Sequence, residues 1–493
     1  MKPLFLFVLP LLVACGAQNT SEASSVPAPS QPSTSEASSS EASSESAITS
    51  EEISSASSLA SSSPVHQPVD PYKEPFLGRQ YYLNHIGDIY SAWQEYAGRG
   101  VTIAVIDKGF NPNHEDFLKA DGTSKVRNDS ACFYVSGASV VTSVGKDYVI
   151  NMGDSHGTFC AGVAAAAING KGVVGVAPEA ELLLLKTDGK PKSIVEAFRY
   201  AADHGAKVVT ISIGSYDNYV GDLESDGSDL TTVFDEAVSY CKGKGTVVVS
   251  AAGNGGLDGN PTRFTYPGAS AGVIGVGGLA ANSSNEIWEG SSYNASPTKE
   301  FIDVLAPADG MFGCCHYDDK KYDEGWNGTS FASPIVAGMA ALYFEKFPDK
   351  SPADFESSLY ASSHEIATSS RASKSQLGHG RVDVGKLLGV SAKGKQTLRA
   401  QDNVDNLYAY VWNSVTGASM QNWPGKAMSK SGSTFSVEID FDQYDSLVIT
   451  ESSSGPQTVD VFASSLLYGG VYDLRSATYE ANANAYSGVY AGA

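Results

Sequence analysis

Five apolar runs between residues 101 and 279 dominate the hydrophobic pattern, and each has the length of a buried strand. They read VTIAVI at 101–106, LLLLK at 182–186, KVVTISI at 207–213, GTVVVSAA at 245–252 and GVIGVGGL at 272–279. Unbroken apolar runs of this kind are typical of strands that are buried on both faces. Stretches of helical composition, such as those from Ile194 and Leu230, lie between several of them and end in Gly. The pattern predicts an α/β fold, a mostly parallel sheet with helices on both faces.

The pattern changes after about Val390, where short alternating or aromatic runs replace the helical stretches. These runs are NLYAYVWN, STFSVEIDF, SLVIT and GPQTVDVF, and Gly, Pro and Ser turns separate them. Such spacing predicts a small C-terminal β-sandwich over residues 395–478. It follows an α/β domain over residues 72–390, and the tail at 479–493 has no assignment from the sequence.

The N-terminal residues show neither pattern. An apolar run at 3–13 follows Lys2 and is too short to span a bilayer, as in a secretory signal. It ends in LVAC, which resembles a bacterial lipobox; the resemblance implies a signal at 1–15, lipidation of Cys15 and anchoring on the outer side of the cell membrane. The alternative is an ordinary signal peptide with an incidental cysteine. Residues 16–71 read as a disordered linker, because positions 21–70 hold 20 Ser and no Lys or Arg.

The charge balance excludes one class of partner. Lys and Arg number 33 against 55 Asp and Glu, a formal net charge of −22. Binding to nucleic acid needs a basic surface that neutralises phosphates. We therefore expect no nucleic-acid partner.

Four polar residues stand where predicted strands end or predicted helices begin. VTIAVI stops at Asp107, HGTFCAG opens at His156, the run at 245–252 leads to Asn254, and Ser330 precedes an apolar helical stretch. A Ser hydroxyl becomes a nucleophile when a His removes its proton, and a buried carboxylate holds that His in one tautomer. Each residue alone is most simply a cap, a turn or a structural residue. Because ligands bind at the carboxyl ends of parallel strands, the joint pattern indicates a catalytic site.

The motifs around these residues resemble those of the subtilases, the subtilisin-like serine peptidases. They include VIDKGFNPNHEDF, HGTFCAG, SAAGNGG and NGTSFASPIVAGMAAL, and the resemblance spans about residues 72–388. It implies an endopeptidase that acts on proteins or peptides through an acyl-enzyme. In that comparison Ser330 is the nucleophile, His156 the general base and then acid, and Asp107 the orienting carboxylate. Asn254 matches the family's oxyanion donor.

The same resemblance implies two sets of substrate contacts. The residues expected to pair with the substrate backbone as an added strand are Ser212, Ile213 and Gly214. The residues expected to form the wall of the primary pocket are Ala251, Ala252 and Gly253. Small residues there leave room for a sizeable substrate side chain.

Lys108 departs from the family pattern, which usually has Thr or Ser after the catalytic Asp. Its ammonium could turn toward Asp107 and compete with the hydrogen bond to the His, or it could point to solvent. Adjacent strand positions face opposite sides of a sheet. We therefore expect the side chain of Lys108 to point to solvent.

The family often binds calcium, and the resemblance places a structural site at Asp116, Asn169 and Gln80. Oxygen ligands suit such a hard cation. The alternative is that Asn169 and Gly170 simply form a turn after the helix that follows His156.

The core contains five cysteines, Cys132, Cys160, Cys241, Cys314 and Cys315. An odd number leaves at least one thiol unpaired. Cys160 lies four residues after His156, so we expect its sulfur close to the imidazole, as a packing residue. The other four could form two disulfides in three ways, or the vicinal pair could stay reduced.

Residues 400–465 resemble the starch-binding carbohydrate modules of family 26 through YAYVWN, WPGKAM and a QT pair. Aromatic side chains stack on sugar rings, which makes Tyr410, Trp412 and Trp423 the candidates for binding a starch-like glucan. The alternative is that some of these rings belong to the core. Two other functions remain open at this point, a catalytically silent subtilase scaffold and a surface glucan-binding protein.

Overall fold

The computed structural model describes residues 68–216, 230–281, 286–295, 300–366, 369–454, 457–458, 461–468, 470–480 and 485–492. The predicted signal at 1–15, with Cys15, and the linker up to residue 67 lie outside the described residues. Within the described ranges, none of the helices combines the length and the apolar character needed to cross a membrane.

A sheet of eight strands forms the centre of the α/β region. The strands of this region are β1 Thr102–Asp107, β2 Ala131–Ser136, β3 Ser139–Val144, β4 Glu181–Thr187, β5 Val208–Ile211, β6 Ser215–Tyr216, β7 Val247–Ala251, β8 Thr265–Tyr266, β9 Ile274–Leu279, β10 Val304–Pro307, β11 Met311–Cys314 and β12 Tyr322–Trp326. The large sheet has the order β10-β9-β7-β5-β1-β4-β2-β3, and β6/β8 and β11/β12 form two separate ribbons. Neighbours in the large sheet are parallel, apart from the antiparallel pair β2 and β3. All five apolar runs form strands of this sheet, as predicted.

Helices cover both faces of the sheet. They are α1 Ile89–Ala92, α2 His156–Ala165, α3 Pro191–Asp203, α4 Leu230–Gly243, α5 Thr329–Lys346, α6 Pro352–Ser362 and α7 Val384–Leu388. Short 3-10 helices lie at Pro71–Lys73, Leu77–Arg79, Tyr81–His85, Glu115–Phe117, Lys146–Val149, Lys374–Gln376 and Ala463–Leu466. Ile103 and Val105 of β1 pack in one core cluster with α2 and α5, whereas Ala104 and Ile106 pack in a second cluster with α3 and α4. This alternation confirms the predicted sheet with helices on both faces.

The C-terminal region is a β-structure of ten strands. They are β13 Lys395–Gln401, β14 Tyr408–Trp412, β15 Lys426–Ala427, β16 Ser429–Ser431, β17 Thr434–Asp440, β18 Ser446–Thr450, β19 Gln457–Thr458, β20 Val461–Phe462, β21 Gly470–Glu480 and β22 Ala485–Gly492. Their hydrogen bonds follow the order β15-β14-β18-β19-β22-β21-β13-β17-β16, with β20 against β18. Alternate residues such as Leu398, Val411 and Ile449 turn into one core. The tail that the sequence left unassigned supplies β22.

One buried carboxylate joins the C-terminal region to the α/β region. Asp88 caps α1 through the N–H of Ser91, at 2.9 Å. The same side chain accepts a hydrogen bond from the Ser464 hydroxyl and, at 2.7 Å, from the N–H of Ala392. Because an unpaired buried carboxylate is costly, these contacts hold residues from both regions around Asp88.

Candidate active site

The centre of the site is the approach of helix α2 to the end of strand β1. Asp107 is the last residue of β1 and is 1% exposed, and His156 is the first residue of α2. Gly157 makes the approach possible, since a Cβ at that position would lie 2.9 Å from the Cβ of Asp107. The carboxylate of Asp154 accepts the N–H of His156 at 3.0 Å and orders the start of the helix.

Asp107 and His156 form a hydrogen-bonded pair. The distance from His156 Nδ1 to Asp107 Oδ2 is 2.8 Å, and the other carboxylate oxygen accepts the N–H of Lys108 at 2.8 Å. Burial lowers the pKa of His156, whereas the charge of Asp107 and its hydrogen bond raise that pKa, and the net shift is upward. The bond directs Nδ1–H at the carboxylate, which leaves Nε2 as the proton acceptor.

Ser330 lies in the first turn of α5 and is 9% exposed. Its hydroxyl donates to the carbonyl of Ser212 at 3.3 Å, while its own carbonyl accepts the Ser212 hydroxyl at 2.7 Å. Within the described part of the chain, the structure gives no direct hydrogen bond between Ser330 and His156. A rotation of the Ser330 hydroxyl away from Ser212 is therefore needed to form that bond, which is often loose in a site without substrate.

Asn254 is held beside Ser330 by the preceding residue, Thr329. The amide oxygen of Asn254 accepts the N–H of Thr329 at 3.0 Å and its hydroxyl at 2.9 Å. The same hydroxyl accepts the N–H of Gly253 at 3.1 Å. With its oxygen fixed in this way, Asn254 keeps its NH₂ group as a donor. Thr329 was not predicted from the sequence, although its place next to Ser330 in NGTS was a signal for it.

Ser330, Thr329 and Asn254 line an open cavity of about 320 Å³. The residues that line it are Lys108, Asp188, Gly189, Ser212, Ile213, Gly214, Tyr216, Ala251, Gly253, Asn254, Thr265, Thr329 and Ser330. The structure thus brings five of the six expected substrate-contact residues to the same cleft as Asn254 and Ser330. Asp188, Gly189, Tyr216 and Thr265 were not predicted from the sequence. Asp188 and Gly189 follow β4, whereas Tyr216 and Thr265 belong to the short paired strands β6 and β8.

Ala252 corrects one of the sequence expectations. Its side chain is 0% exposed and packs in a core cluster with Leu279 and Phe301. Successive side chains of an extended segment point to opposite sides. Ala251 and Gly253 therefore face the cleft, and Ala252 faces the core.

The side chain of Lys108 is exposed, as expected, but it lies within the site. It lines the cleft, and its Cε would lie 3.6 Å from a Cβ at Gly189. The ammonium forms no ion pair with Asp107, whose second carboxylate oxygen binds the N–H of Lys108 instead. The hydrogen bond between Asp107 and His156 is therefore intact.

The five cysteines of the described core are all free thiols. Cys160 is buried, and its sulfur donates to the carbonyl of Ser330 at 3.4 Å. The sulfur also lies within 4.8 Å of the nearest ligand atoms of Asp107 and His156. The position next to the imidazole agrees with the prediction, and the burial agrees with a packing role.

The three residues predicted to bind calcium converge on the loop at 169–174. The amide oxygens of Asn169 and Gln80 accept the N–H groups of Lys171 and Val174, at 3.1 and 2.9 Å. Asp116 Oδ2 accepts the N–H of Val173 at 3.0 Å, and only its Oδ1 has no hydrogen-bond partner.

A fourth residue, Glu74, occupies this loop. Its buried carboxylate accepts four backbone N–H groups, from Asn169 at 2.6 Å, Gly170 at 2.7 Å, Lys171 at 3.2 Å and Gly172 at 3.1 Å. A hard cation requires oxygen ligands, whereas this part of the loop presents N–H donors to an internal anion. Gln80, Asp116 and Asn169 as arranged here therefore do not fit a calcium ion.

We expect Glu74→Gln to destabilise the protein by about 2 kcal/mol, because an amide has one acceptor oxygen and leaves buried N–H groups unpaired. The melting temperature should fall by several degrees, and dialysis against EDTA should leave the melting temperature of the wild type unchanged. Glu438→Gln is the control, since Glu438 is exposed on β17. A loss of stability in EDTA would contradict the account of this loop and restore the calcium prediction.

The aromatic residues predicted to bind glucan form one group on the C-terminal region. The ring centroid of Tyr410 is 5.7 Å from that of Trp412 and 5.6 Å from that of Trp423. Tyr410 and Trp412 are half-buried, and Trp423 is 40% exposed, with its Nε1–H donating to the carbonyl of Ser453 at 2.8 Å. The alternation along β14 sends Ala409 and Val411 into the core, so these rings line the opposite face.

Comparison with characterised proteins shows which enzymes the chain resembles in sequence. Subtilisin DY from Bacillus licheniformis is 31% identical over 281 residues, which is 56% of this chain and 88% of that protein. Thermitase from Thermoactinomyces vulgaris is 33% identical over 285 residues, 56% of this chain and 85% of thermitase. These similarities extend over most of the length of both relatives.

Solved structures show the same fold. A protease from Pseudoalteromonas arctica PAMC 21717 superposes with a TM-score of 0.51 and 25% identity, covering 65% of this chain and 99% of that one. Fervidolysin from Fervidobacterium pennivorans gives a TM-score of 0.50 at 20% identity, over 78% of this chain and 59% of fervidolysin, which supports the fold alone. A model of the subtilase family, peptidase S8, matches residues 98–410. The chain belongs to the subtilase family of subtilisin-like serine endopeptidases.

Proposed function

We propose that Ser330, His156 and Asp107 are the catalytic triad of this peptidase and that Asn254 is its oxyanion donor. The observation that carries the proposal is the 2.8 Å bond between Asp107 and Nδ1 of a His whose helix starts at the same sheet edge. Nucleophilic catalysis by serine needs this orientation of the base. Ser330 and Asn254 line one cleft beside it.

In the first half of the reaction, the oxygen of Ser330 attacks the scissile carbonyl as Nε2 of His156 takes the hydroxyl proton. The charge of Asp107 stabilises the imidazolium. The NH₂ group of Asn254 and the N–H of Ser330 donate to the carbonyl oxygen as it becomes negative. Such a donor contributes about 3 to 4 kcal/mol to the lowering of the barrier.

In the second half, His156 gives its proton to the leaving amine, and the carbon–nitrogen bond breaks to leave an acyl ester on Ser330. A water molecule then attacks the ester with His156 as base, which releases the carboxylate product and restores the Ser330 hydroxyl. Atoms and protons balance over the cycle, and no group beyond the chain and water is required.

The substrate backbone pairs with residues 212–214 as an added strand in this proposal. Gly214 is suited to this segment because a side chain there would collide with the carbonyl of Tyr266. The residue that donates the scissile carbonyl places its side chain between Ala251 and Gly253. Gly253 has a φ of 110°, and a Cβ there would lie 2.9 Å from Thr265, so a side chain would narrow this pocket.

The test of the proposal is hydrolysis of an unfolded protein such as casein by the purified chain, with and without a fluorophosphonate. Hydrolysis that the inhibitor abolishes is the expected result. A folded protein that cleaves nothing and takes no inhibitor would instead be a silent subtilase scaffold.

We also propose that the protein is anchored by a lipid at Cys15 to the cell membrane and faces the extracellular side. The support is the signal sequence and the LVAC motif, both outside the described residues. The linker at 16–71 would then separate the peptidase from the bilayer, with a span of roughly 40 Å for a flexible coil of about 55 residues.

A second proposed function is binding of a starch-like glucan by Tyr410, Trp412 and Trp423. The observation that favours it is the grouping of three rings on the outward face of β14 and next to it. Rings on a solvent-facing surface offer apolar area for contact with a sugar ring.

We expect the full chain to bind granular starch and Trp423→Ala to weaken that binding about fivefold, a loss of about 1 kcal/mol of aromatic contact. Sedimentation with starch measures the change. The control is Tyr317→Ala, because Tyr317 is 68% exposed and lies between β11 and β12, outside the C-terminal region. Equal binding by wild type and Trp423→Ala would assign these rings to the surface of a structural module.

A further inference from the structure

Lys108 is the positively charged residue that lines the proposed substrate cleft. Its exposed side chain lines the cavity together with Ser330 and the 212–214 segment, and it passes over Gly189. Gly189 has no side chain to cover the aliphatic part of the lysine. The ammonium is therefore placed to meet a bound substrate.

The neighbouring acid does not neutralise this ammonium. Asp188 lines the same wall, but its carboxylate accepts the Ser193 hydroxyl at 2.7 Å and the N–H of Val135 at 3.0 Å, and it pairs with Lys190 at 3.5 Å. The carboxylate of Asp107 accepts the hydrogen bond from Nδ1 of His156. Among the residues that the structure describes, no carboxylate forms an ion pair with Lys108. A substrate carboxylate would thus be the partner of this charge.

The order of the sheet shows which substrate residue lies next to Lys108. Strand β5 lies between β7 and β1, and all three are parallel, so their ends meet at one edge of the sheet. The proposed backbone-binding segment at 212–214 follows β5. The end of β7 leads to Ala251 and Gly253 on one side of this segment, and the end of β1 leads to Lys108 on the other.

Side chains of an extended peptide point alternately to opposite sides. When the residue that donates the scissile carbonyl enters the β7 side, at Ala251 and Gly253, the residue before it faces the β1 side. We call this residue the penultimate residue. Its side chain faces Lys108 and Gly189.

We infer that Lys108 makes this peptidase prefer substrates with Asp or Glu as the penultimate residue. The inference rests on the proposed function of the cleft. The net charge of −22 does not oppose it, because charges more than about 8 Å away are screened at physiological ionic strength, whereas Lys108 would touch the substrate.

The test uses peptide p-nitroanilides of the form acyl-Ala-Ala-Xaa-Phe, in which Xaa is Glu, Gln or Lys. For the full chain we expect kcat/KM to fall in that order, with about a tenfold ratio between Glu and Lys, from attraction in one peptide and repulsion in the other. The ratio should shrink toward one in about 1 M NaCl, where the Debye length is about 3 Å.

Lys108→Gln should bring the Glu to Lys ratio close to one, and Lys108→Glu should invert it. The ratio is compared within each variant, so a general change in activity cancels. The control is Lys320→Gln, since Lys320 is an exposed lysine between β11 and β12 that lies outside the cleft, and it should keep the wild-type ratio.

Two negative outcomes are distinguishable. Hydrolysis of all three peptides at equal kcat/KM, or an unchanged ratio in Lys108→Gln, would overturn the role of Lys108 and leave the catalytic proposal standing. A wild type that hydrolyses none of the peptides and takes no fluorophosphonate would overturn the proposed function, and this inference with it.

Discussion

Ser330→Ala is expected to lower kcat for peptide hydrolysis by about 10⁶, the loss seen when the nucleophile of subtilisin is removed. The physical reason is that alanine at position 330 has no oxygen that can attack the scissile carbonyl and form the acyl ester. The melting temperature should change little, because the variant loses one hydrogen bond of 3.3 Å, worth about 1 kcal/mol. Hydrolysis of casein and calorimetry measure the two quantities.

The matched control is Ser333→Ala, one turn further along α5. Ser333 is buried, and its hydroxyl is 2.9 Å from that of Thr210. This variant removes a comparable hydrogen bond outside the cleft and should retain activity. Residual hydrolysis in Ser330→Ala within tenfold of the wild type would mean that another residue is the nucleophile.

Asp107→Asn is expected to lower kcat by about 10⁴ while the fold persists. The amide would donate to Nδ1 of His156 instead of accepting from it, which turns Nε2 into a donor and removes the base. The loss should appear mainly in kcat, because Asp107 is 1% exposed and does not itself line the cleft. Steady-state kinetics on one peptide substrate measures it.

The pH profile gives a second measurement of the same pair. The charge of Asp107 raises the pKa of His156, so wild-type activity should be lost as the pH falls through that raised value. In Asp107→Asn the pKa should be lower, and the residual activity should persist to lower pH. Asp154→Asn is the comparison, since its amide oxygen can still accept the N–H of His156 and its cost should be far smaller. Equal losses in the two variants would contradict the assignment of Asp107.

Strands β1, β4, β5, β7 and β9 of the large sheet were predictable because almost all of their residues are buried. Strands β2 and β3 were not predicted, because many of their residues are exposed or half-buried. SLVIT at 446–450 was also located at its observed bounds, since five consecutive residues there are buried. Helix α5 was predicted only as an apolar stretch after Ser330, whereas in the structure it begins at Thr329, so Ser330 lies in its first turn. Such patterns indicate which segments are buried, and burial depends on the residues of the segment itself. The order of these strands and helices along the chain could therefore be predicted.

The residues that we propose as the triad were predictable for a different reason. Asp107 and His156 stand at the end of a strand and the start of a helix, and parallel strands bring such positions to one edge. The hydrogen bonds of the site could not be predicted from the sequence. The hydrogen bonds that Thr329 donates to Asn254, for example, join two segments that are 75 residues apart in the chain.

Two differences between the sequence predictions and the structure have the same origin. Ala252 was assigned to the pocket because Ala251 and Gly253 are its neighbours, but the alternation of an extended segment turns it into the core. The calcium prediction considered the loop at 169–174 without Glu74, which reaches it from 95 residues earlier. A sequence motif shows the residues of a loop and not the side chain that fills it.

The most direct test of the account is to treat the purified chain with a fluorophosphonate and to locate the modified residue by mass spectrometry. The predicted result is one phosphonate adduct, on Ser330, which forms in the wild type and fails to form in His156→Ala, where the base is missing. An adduct on another residue, or a folded wild type that acquires none, would contradict the claim that Asp107, His156 and Ser330 form a working triad.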